Sequence, residues 1–289
     1  MAHGKFSGKS LARGLASIVI FLVLWELGSR SKQWLGADIF APLRGGMEAL
    51  GFKTKYLPWI GAVPAPTEVL QSWVGVVKDP GYWHSWYKSG FRVAAGFIAA
   101  MLIGIPFGLM LAVSRTAYGI GFPVFEMLRP IPPLAWVPAS IIFWPTQEMS
   151  IAFVTFLGAF YTIVINVVGG AKSIDGRFFQ AAQSMGSSRA DIFRRIILPG
   201  TLPSIVVGSA VGMGITWEVV VAAEMISGGG SQVGGTGGGG LGFFIWNSYV
   251  GGSYEQIVVG MISIGIAGFI SSELLRYFGK RVTPWLNLR

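Results

Sequence analysis

Residues 150–170 read SIAFVTFLGAFYTIVINVVGG, an apolar stretch without a single Asp, Glu, Lys or Arg. A helix of about 20 residues crosses the roughly 30 Å hydrocarbon core of a bilayer, so this stretch is long enough to span a membrane. Working outward from it, comparable stretches lie near 15–29, 91–113, 118–144, 204–226 and 256–277. The sequence therefore predicts an all-α integral membrane protein with about six transmembrane helices.

The composition agrees with a chain whose main solvent is lipid. Of the 289 residues, 52% are hydrophobic and 12% charged, and the mean hydropathy is +0.60. The charged share is about half that of an ordinary soluble domain. The net charge of +9 comes from basic residues at the edges of apolar runs, so we predict no nucleic-acid partner. With no cysteine and two isolated histidines, we also predict no metal site.

The positions of the basic residues predict the orientation in the membrane. More than half of the 22 Lys and Arg flank one side of the predicted spans, whereas the connections 145–149 and 227–255 on the other side contain none. By the positive-inside rule, both termini and the loop 172–203 are predicted to be cytoplasmic. We expect one transmembrane domain over 1–289, in which 1–90 holds the first span and a long outer connection and 91–289 holds the core spans.

Within the outer connection, Pro66 and Thr67 predict the start of a short amphipathic helix, with Thr67 as its N-cap. Such a helix suits the outer membrane surface. A packed loop without a role in transport is an equal alternative. Further along, residues 228–242 are rich in glycine and hold no regular structure by composition. They are either a mobile gate at the outer mouth or a flexible turn.

The third predicted span contains charge and prolines together. Residues 129–138, RPIPPLAWVP, hold four prolines, each of which removes a backbone donor, so the helix is predicted to kink or unwind there. Arg129 needs a partner or a water-filled cavity at this depth. The partner is either Glu126, one turn earlier, or an acidic residue of the fifth span. One hypothesis is an anion path and the alternative is a structural ion pair; the candidate path residues are Arg129, Arg92, Glu218, Glu224, Trp217 and Asn166.

The loop 172–203, which we call the coupling loop, contains the most informative motif. It reads QAAQSMG over 180–186 and, after nine residues, IILP over 196–199. The alanines offer a face with small side chains for docking, and Gly186 permits a sharp turn. Ser187 or Ser188 is then predicted to cap a second short helix with Asp191 in its first turn.

This motif resembles that of the permeases of binding-protein-dependent ABC importers. Their signature is Glu-Ala-Ala, three residues, Gly, nine residues and Ile-x-Leu-Pro, and the one fixed position that differs is Gln180 in place of Glu. The resemblance implies a type I ABC importer permease fold with a cytoplasmic coupling helix that contacts the ATPase subunit. The residues implied in this coupling are Gln180, Ala181, Ala182, Gly186, Leu198 and Pro199.

Narrower resemblances point to the nitrate, sulfonate, taurine and bicarbonate branch. They lie at 63–70, 129–137, Asn166, 217–225 and 240–243. The resemblance implies a homodimer of permeases in lipid, two ATP-binding subunits, a periplasmic or lipid-anchored substrate-binding protein, and the bacterial inner membrane as location. It implies no catalytic residue and no cofactor on this chain, with ATP and Mg²⁺ bound by the partner subunits.

Three alternatives remain beside import of a small anionic nutrient such as nitrate, bicarbonate or a sulfonate. The first is a permease of the same kind for a small uncharged heterocycle or another organic nutrient. The second is a self-sufficient secondary transporter, for which the sequence shows no internal repeat. The third is a membrane enzyme, which needs polar groups clustered at one depth, and the sequence shows no such pattern.

Overall fold

The computed structural model describes residues 8–30, 41–51, 63–228 and 239–285. Over these ranges every regular element is a helix, which confirms the predicted all-α fold. The α-helices in chain order are α1 (Gly8–Ser29), α2 (Ala41–Ala49), α3 (Pro66–Val76), α4 (Pro80–Val113), α5 (Arg115–Leu128), α6 (Val137–Phe143), α7 (Gln147–Lys172), α8 (Gly176–Ser184), α9 (Arg189–Ile192), α10 (Leu198–Gly228), α11 (Leu241–Val250) and α12 (Tyr254–Val282).

Five of the described helices, α1, α4, α7, α10 and α12, are long and apolar enough to cross a membrane. The third predicted span, 118–144, is instead interrupted. Helix α5 ends before the prolines, Pro133–Trp136 forms a 3₁₀ turn, and α6 resumes at Val137. Because proline has no N–H and clashes with the preceding turn, the helix breaks where the sequence predicted it. The six predicted spans therefore correspond to five continuous helices and one interrupted segment.

The described chain divides into two compact units. The first contains the described residues up to Asp79 together with Ser248–Val259, and the second contains those of Pro80–Asn247 and the described residues from Gly260 onward. The single domain predicted over 1–289 stays a prediction.

In the first unit, α3 begins two residues earlier than predicted. Its N-cap position is Ala65, and the Glu68 carboxylate accepts the Ala65 N–H at 2.9 Å. The prediction of Thr67 as the N-cap is wrong, because Thr67 already lies in the first turn. The hydroxyl of Thr67 instead donates to Glu26 of α1 at 2.9 Å and accepts a hydrogen bond from Arg30 at 2.7 Å.

In the second unit, α7 packs between α4 and α10 through small residues. A Cβ placed on Gly96 of α4 would lie 2.1 Å from the Thr155 hydroxyl oxygen of α7. On the other side of α7, a Cβ on Gly208 of α10 would lie 2.6 Å from Cβ of Asn166. Small residues let membrane helices approach closely, since lipid provides no hydrophobic driving force between them. The three helices therefore form the tightly packed core of this unit.

An aromatic cluster holds α5 against this core. The Phe125 ring lies 6.5 Å from the Phe107 ring of α4 and 5.6 Å from the Tyr161 ring of α7, measured between centroids. Phe125 is 4% exposed. Because Arg129 follows Phe125 by one helical turn, this packing determines where the arginine lies.

Candidate coupling loop and solute path

The coupling loop folds into the two short helices α8 and α9. Asp175 caps α8, and its carboxylate accepts the backbone N–H of Arg177 at 2.9 Å. The Arg177 side chain donates two further hydrogen bonds to it, at 2.6 and 2.9 Å. These bonds stabilise the ionised carboxylate, so the pKa of Asp175 lies below its ordinary value. The cap thereby defines the start of α8.

Gly186 forms the turn between the two helices with a φ of +76°, which confirms the predicted sharp turn. This left-handed region favours glycine because a side chain clashes there. The N–H of Ser187 donates to the carbonyl of Ala182 at 3.0 Å across the turn. Ala182 is 5% exposed, whereas Gln180 and Ala181 are exposed.

The exposed side of the coupling loop also carries two large apolar side chains. Phe178 is 62% exposed and Met185 is 78% exposed. Neighbouring exposed apolar residues are typical of a surface that another protein covers.

Helix α9 continues directly into the membrane helix α10. Ser188, one of the two predicted caps, accepts the N–H of Asp191 at 3.2 Å. A π-helical turn, Phe193–Ile197, then connects α9 to α10, which begins at Leu198. Leu198 and Pro199 are half-buried. The motif thus ends inside a helix that runs from the coupling loop into the predicted fifth span.

Arg129 lines a cavity of about 370 Å³ between the 3₁₀ turn, α7 and α10. Tyr161 and Thr162 of α7, whose side chains carry hydroxyl groups, line the same cavity. The Nη1 of Arg129 lies 2.6 Å from Oε1 of Glu126, which is the local partner that the sequence offered. The Arg129 side chain is 46% exposed, so the pair leaves a cation accessible from the cavity.

Glu218 and Trp217 line a different groove, between α10 and α12, with a volume of about 530 Å³. The side chain of Glu218 is exposed, whereas Trp217 is 6% exposed. The indole N–H of Trp217 donates to the Ser271 hydroxyl of α12 at 3.0 Å. Trp217 therefore joins two helices, and Glu218 faces open space beside it.

Arg92 and Glu224 meet each other away from both cavities. Their side chains are 4% and 0% exposed, and Nη1 of Arg92 lies 2.8 Å from Oε1 of Glu224. Nε of Arg92 donates to Glu148 of α7 at 2.7 Å, and Nη2 donates to the other oxygen of the same carboxylate. In this structure both predicted path residues are thus buried in a closed network, and neither Glu218 nor Glu224 is the ion-pair partner of Arg129.

The remaining predicted path residue, Asn166, lies at the contact of α7 and α10. Its Nδ2 donates to the carbonyl of Thr162 at 2.8 Å, and its side chain packs against Gly208. Residues 229–238 of the glycine-rich segment, with their predicted gate or turn, lie outside the described residues. At its described ends the prediction of no regular structure is wrong, because Gly228 ends α10 and 241–242 begin α11.

Sequence reasoning missed four residues that the structure places beside the predicted ones. Ser89 and Glu148 belong to the Arg92 network, and Tyr161 and Thr162 belong to the Arg129 cavity. For Glu148 a signal existed, since a buried arginine in a membrane helix requires an acidic partner. Hydroxyl groups are common in membrane helices and carry no comparable signal.

A family model described as the binding-protein-dependent transport system inner membrane component matches residues 104–287. The chain belongs to this family. Over 228 residues the permease is 33% identical to the nitrate import permease protein NrtB of Leptolyngbya laminosa, covering 76% of this chain and 78% of that one. It is 32% identical to the taurine transport system permease protein TauC of Escherichia coli (strain K12), covering 77% and 80%. The branch that the sequence resembled is thereby confirmed.

Solved structures of ABC transporters share the fold of the permease. A bacterial transporter involved in import of the acidic polysaccharide alginate aligns with a TM-score of 0.56 at 15% identity, covering 95% of this chain and 98% of that one. The inward-facing MetNI methionine transporter aligns with a TM-score of 0.55 at 20% identity, covering 71% and 97%. The permease is thus a multi-pass membrane subunit with the type I importer fold, from a family that works with ATP-binding subunits and binding proteins.

Proposed function

We propose that this permease translocates a small anionic nutrient, of the nitrate, bicarbonate or sulfonate class, by ATP-driven alternating access. The observation that carries the proposal is the exposed coupling loop, because its apolar side chains and Gly186 turn form a compact docking surface continuous with α10. Similarity to NrtB and TauC, whose names give nitrate and taurine, supports the substrate class.

The proposed complex contains two copies of this chain, two ATP-binding subunits and an external binding protein that is periplasmic or lipid-anchored. ATP and Mg²⁺ bind the partner subunits, and the permease itself has no catalytic role. Both termini and the coupling loop lie on the cytoplasmic side of a bacterial inner membrane. The distribution of Lys and Arg along the chain supports this orientation.

The coupling proposal is tested by replacing Gly186 with alanine and measuring how much ATP-binding subunit co-purifies with the permease from detergent extract. A Cβ at a φ of +76° is strained, so the turn shifts and the association weakens. The matched control is Gly169→Ala, because a Cβ on Gly169 meets nothing within 4 Å. Unchanged association in Gly186→Ala, and also after Phe178→Asp and Met185→Asp, would overturn the docking surface.

For the path, we propose that Arg129 supplies positive potential to the passing anion, with Tyr161 and Thr162 as hydrogen-bonding groups in the same cavity. Glu218 faces a separate groove between α10 and α12 and is not part of this proposal, and Trp217 and Asn166 pack between helices. The two residues Arg92 and Glu224 act through structure instead.

The path proposal is tested by uptake of isotope-labelled nitrate, bicarbonate and taurine into cells that express the complete complex. Arg129→Gln is expected to abolish uptake while the complex assembles normally. Arg276→Gln is the matched control, because Arg276 forms an equivalent exposed pair with Glu273, at 2.5 Å, in the other groove. Full uptake by Arg129→Gln would refute the role of Arg129 in the path, and a wild type that takes up none of the three labelled solutes would refute the proposed substrate class.

A further inference from the structure

The start of α11 has its backbone groups bonded by side chains from two other helices. The first N–H groups of a helix have no partner within the helix and need one from elsewhere. Here the Leu241 N–H donates to the Ser89 hydroxyl of α4 at 2.8 Å, and the Gly242 N–H donates to Oε2 of Glu224 at 2.9 Å. Just before the helix, the carbonyl of Gly239 accepts a hydrogen bond from Nη1 of Arg92 at 2.5 Å.

The groups that supply these bonds are buried and also bond to one another. Ser89, Arg92 and Glu224 are all buried. The Ser89 hydroxyl lies 2.8 and 2.9 Å from the two Glu224 oxygens, so it donates to the carboxylate while it accepts from Leu241. A negative carboxylate at a helix N-terminus is also favoured by the helix dipole. The Ser89 hydroxyl and the Glu224 carboxylate therefore match the N–H groups at the start of α11 in both hydrogen bonding and charge.

Glycines at the start of α11 make this close approach possible. Gly240 has a φ of +126°, and a Cβ there would lie 2.3 Å from Oε1 of Glu224. A Cβ on Gly242 would lie 2.3 Å from the carbonyl oxygen of Val221 in α10. A side chain at position 240 would displace the carboxylate, and one at position 242 would push the start of α11 away from α10. Gly240 and Gly242 therefore leave the space that Glu224 and the α10 backbone need at the start of α11.

We propose that Ser89, Arg92 and Glu224 form a shared cap for α11 and are positioning residues, which hold its first turn against α4 and α10 and do not bind the solute. Four N–H bonds of Arg92 are already directed at Glu148, Glu224 and Gly239. A solute anion would have to displace either Glu224, which would leave a buried carboxylate without its cation, or Glu148, which accepts two N–H bonds from the guanidinium. The inference goes beyond the proposed function, and its first test does not depend on transport.

The first test is hydrogen exchange of the purified full-length protein, read by mass spectrometry on peptides that begin several residues before Leu241 and span it. Ser89→Ala is expected to speed exchange of the Leu241 amide about tenfold, since this N–H loses a partner of ordinary strength, whereas the Gly242 N–H keeps its bond to Glu224. The matched control is Ser209→Ala, because Ser209 is 3% exposed and its hydroxyl has no partner among the described residues. Equal exchange in the two variants, or faster exchange along the whole chain in Ser89→Ala, would overturn the shared cap.

The second test separates positioning from solute binding. Arg92→Lys keeps the charge but not the planar fork that reaches two carboxylates and a carbonyl. With labelled nitrate and taurine as probes, the cap predicts a lower maximal uptake rate, an unchanged KM and faster exchange at Leu241. A several-fold rise in KM with normal exchange would assign Arg92 to the solute and overturn the proposal. If the wild type takes up neither probe, only the proposed substrate class fails, and the exchange result still decides the cap.

Discussion

Replacing Arg92 with methionine removes the cation at the centre of the buried network and leaves most of its volume filled. Glu224, whose side chain is 0% exposed, then loses its charged partner, and the Gly239 carbonyl loses its donor. Breaking a buried ion pair by removing one partner costs about 3–5 kcal/mol. We assign most of this loss to Glu224, because Glu148 is 55% exposed and water screens its share.

The comparison variant is Arg129→Met, which breaks an exposed pair with Glu126 and should cost about 0.2–1 kcal/mol. Both free energies of unfolding are measured on purified protein by denaturant titration, with the fluorescence of the 11 tryptophans as the signal. Equal losses in the two variants, or a loss below about 1 kcal/mol in Arg92→Met, would refute the reasoning from burial.

Two further predictions concern packing and pH. Gly96→Ala is expected to destabilise the protein by about 1–3 kcal/mol, because the added Cβ overlaps α7. Gly119→Ala is the control: its Cβ meets nothing within 4 Å, so it should stabilise α5 by about 0.5–1 kcal/mol. Thermal melts of both variants check this, and an equal effect on the two would contradict the close approach of α4 and α7. The bonds to Arg177 depress the pKa of Asp175 in the folded protein. The cap therefore contributes its full stability at pH values above the unfolded pKa of about 3.9. This stability is lost as the pH falls through the lower pKa of the folded state. Measured against the intrinsic exchange rate at each pH, the protection of the α8 amides should therefore fall at acid pH in the wild type and be low at every pH in Asp175→Ala. A flat wild-type protection profile would argue against the cap.

Much of the fold was predictable because membrane spans depend on local composition. Long runs without charge located the five continuous helices, and the four prolines of 129–138 located the interruption. The Gly186 turn and the Ser188 cap were predictable for the same reason, since both follow from the conformational preferences of single residues.

The arrangement of the charged groups was only partly predictable. The pairing of Arg129 with Glu126 followed from helical spacing, because the two residues lie three positions apart on one helix. The pairing of Arg92 with Glu224 joins residues far apart in the sequence, and only the packing of α4 against α10 brings them together. Acidic residues at two positions of one helix look alike in sequence, so the chain did not indicate that Glu224 is buried and Glu218 is exposed.

The π-helical turn at Phe193–Ile197 has a consequence for the direction in which the coupling loop faces. Each residue added to or removed from a continuous helix rotates everything beyond it by about 100° around the axis. The π-helical turn therefore determines the rotation, about the helix axis, of the exposed surface around Met185 relative to the residues of α10. Deleting one residue there would leave both surfaces intact but rotate one relative to the other about the helix axis.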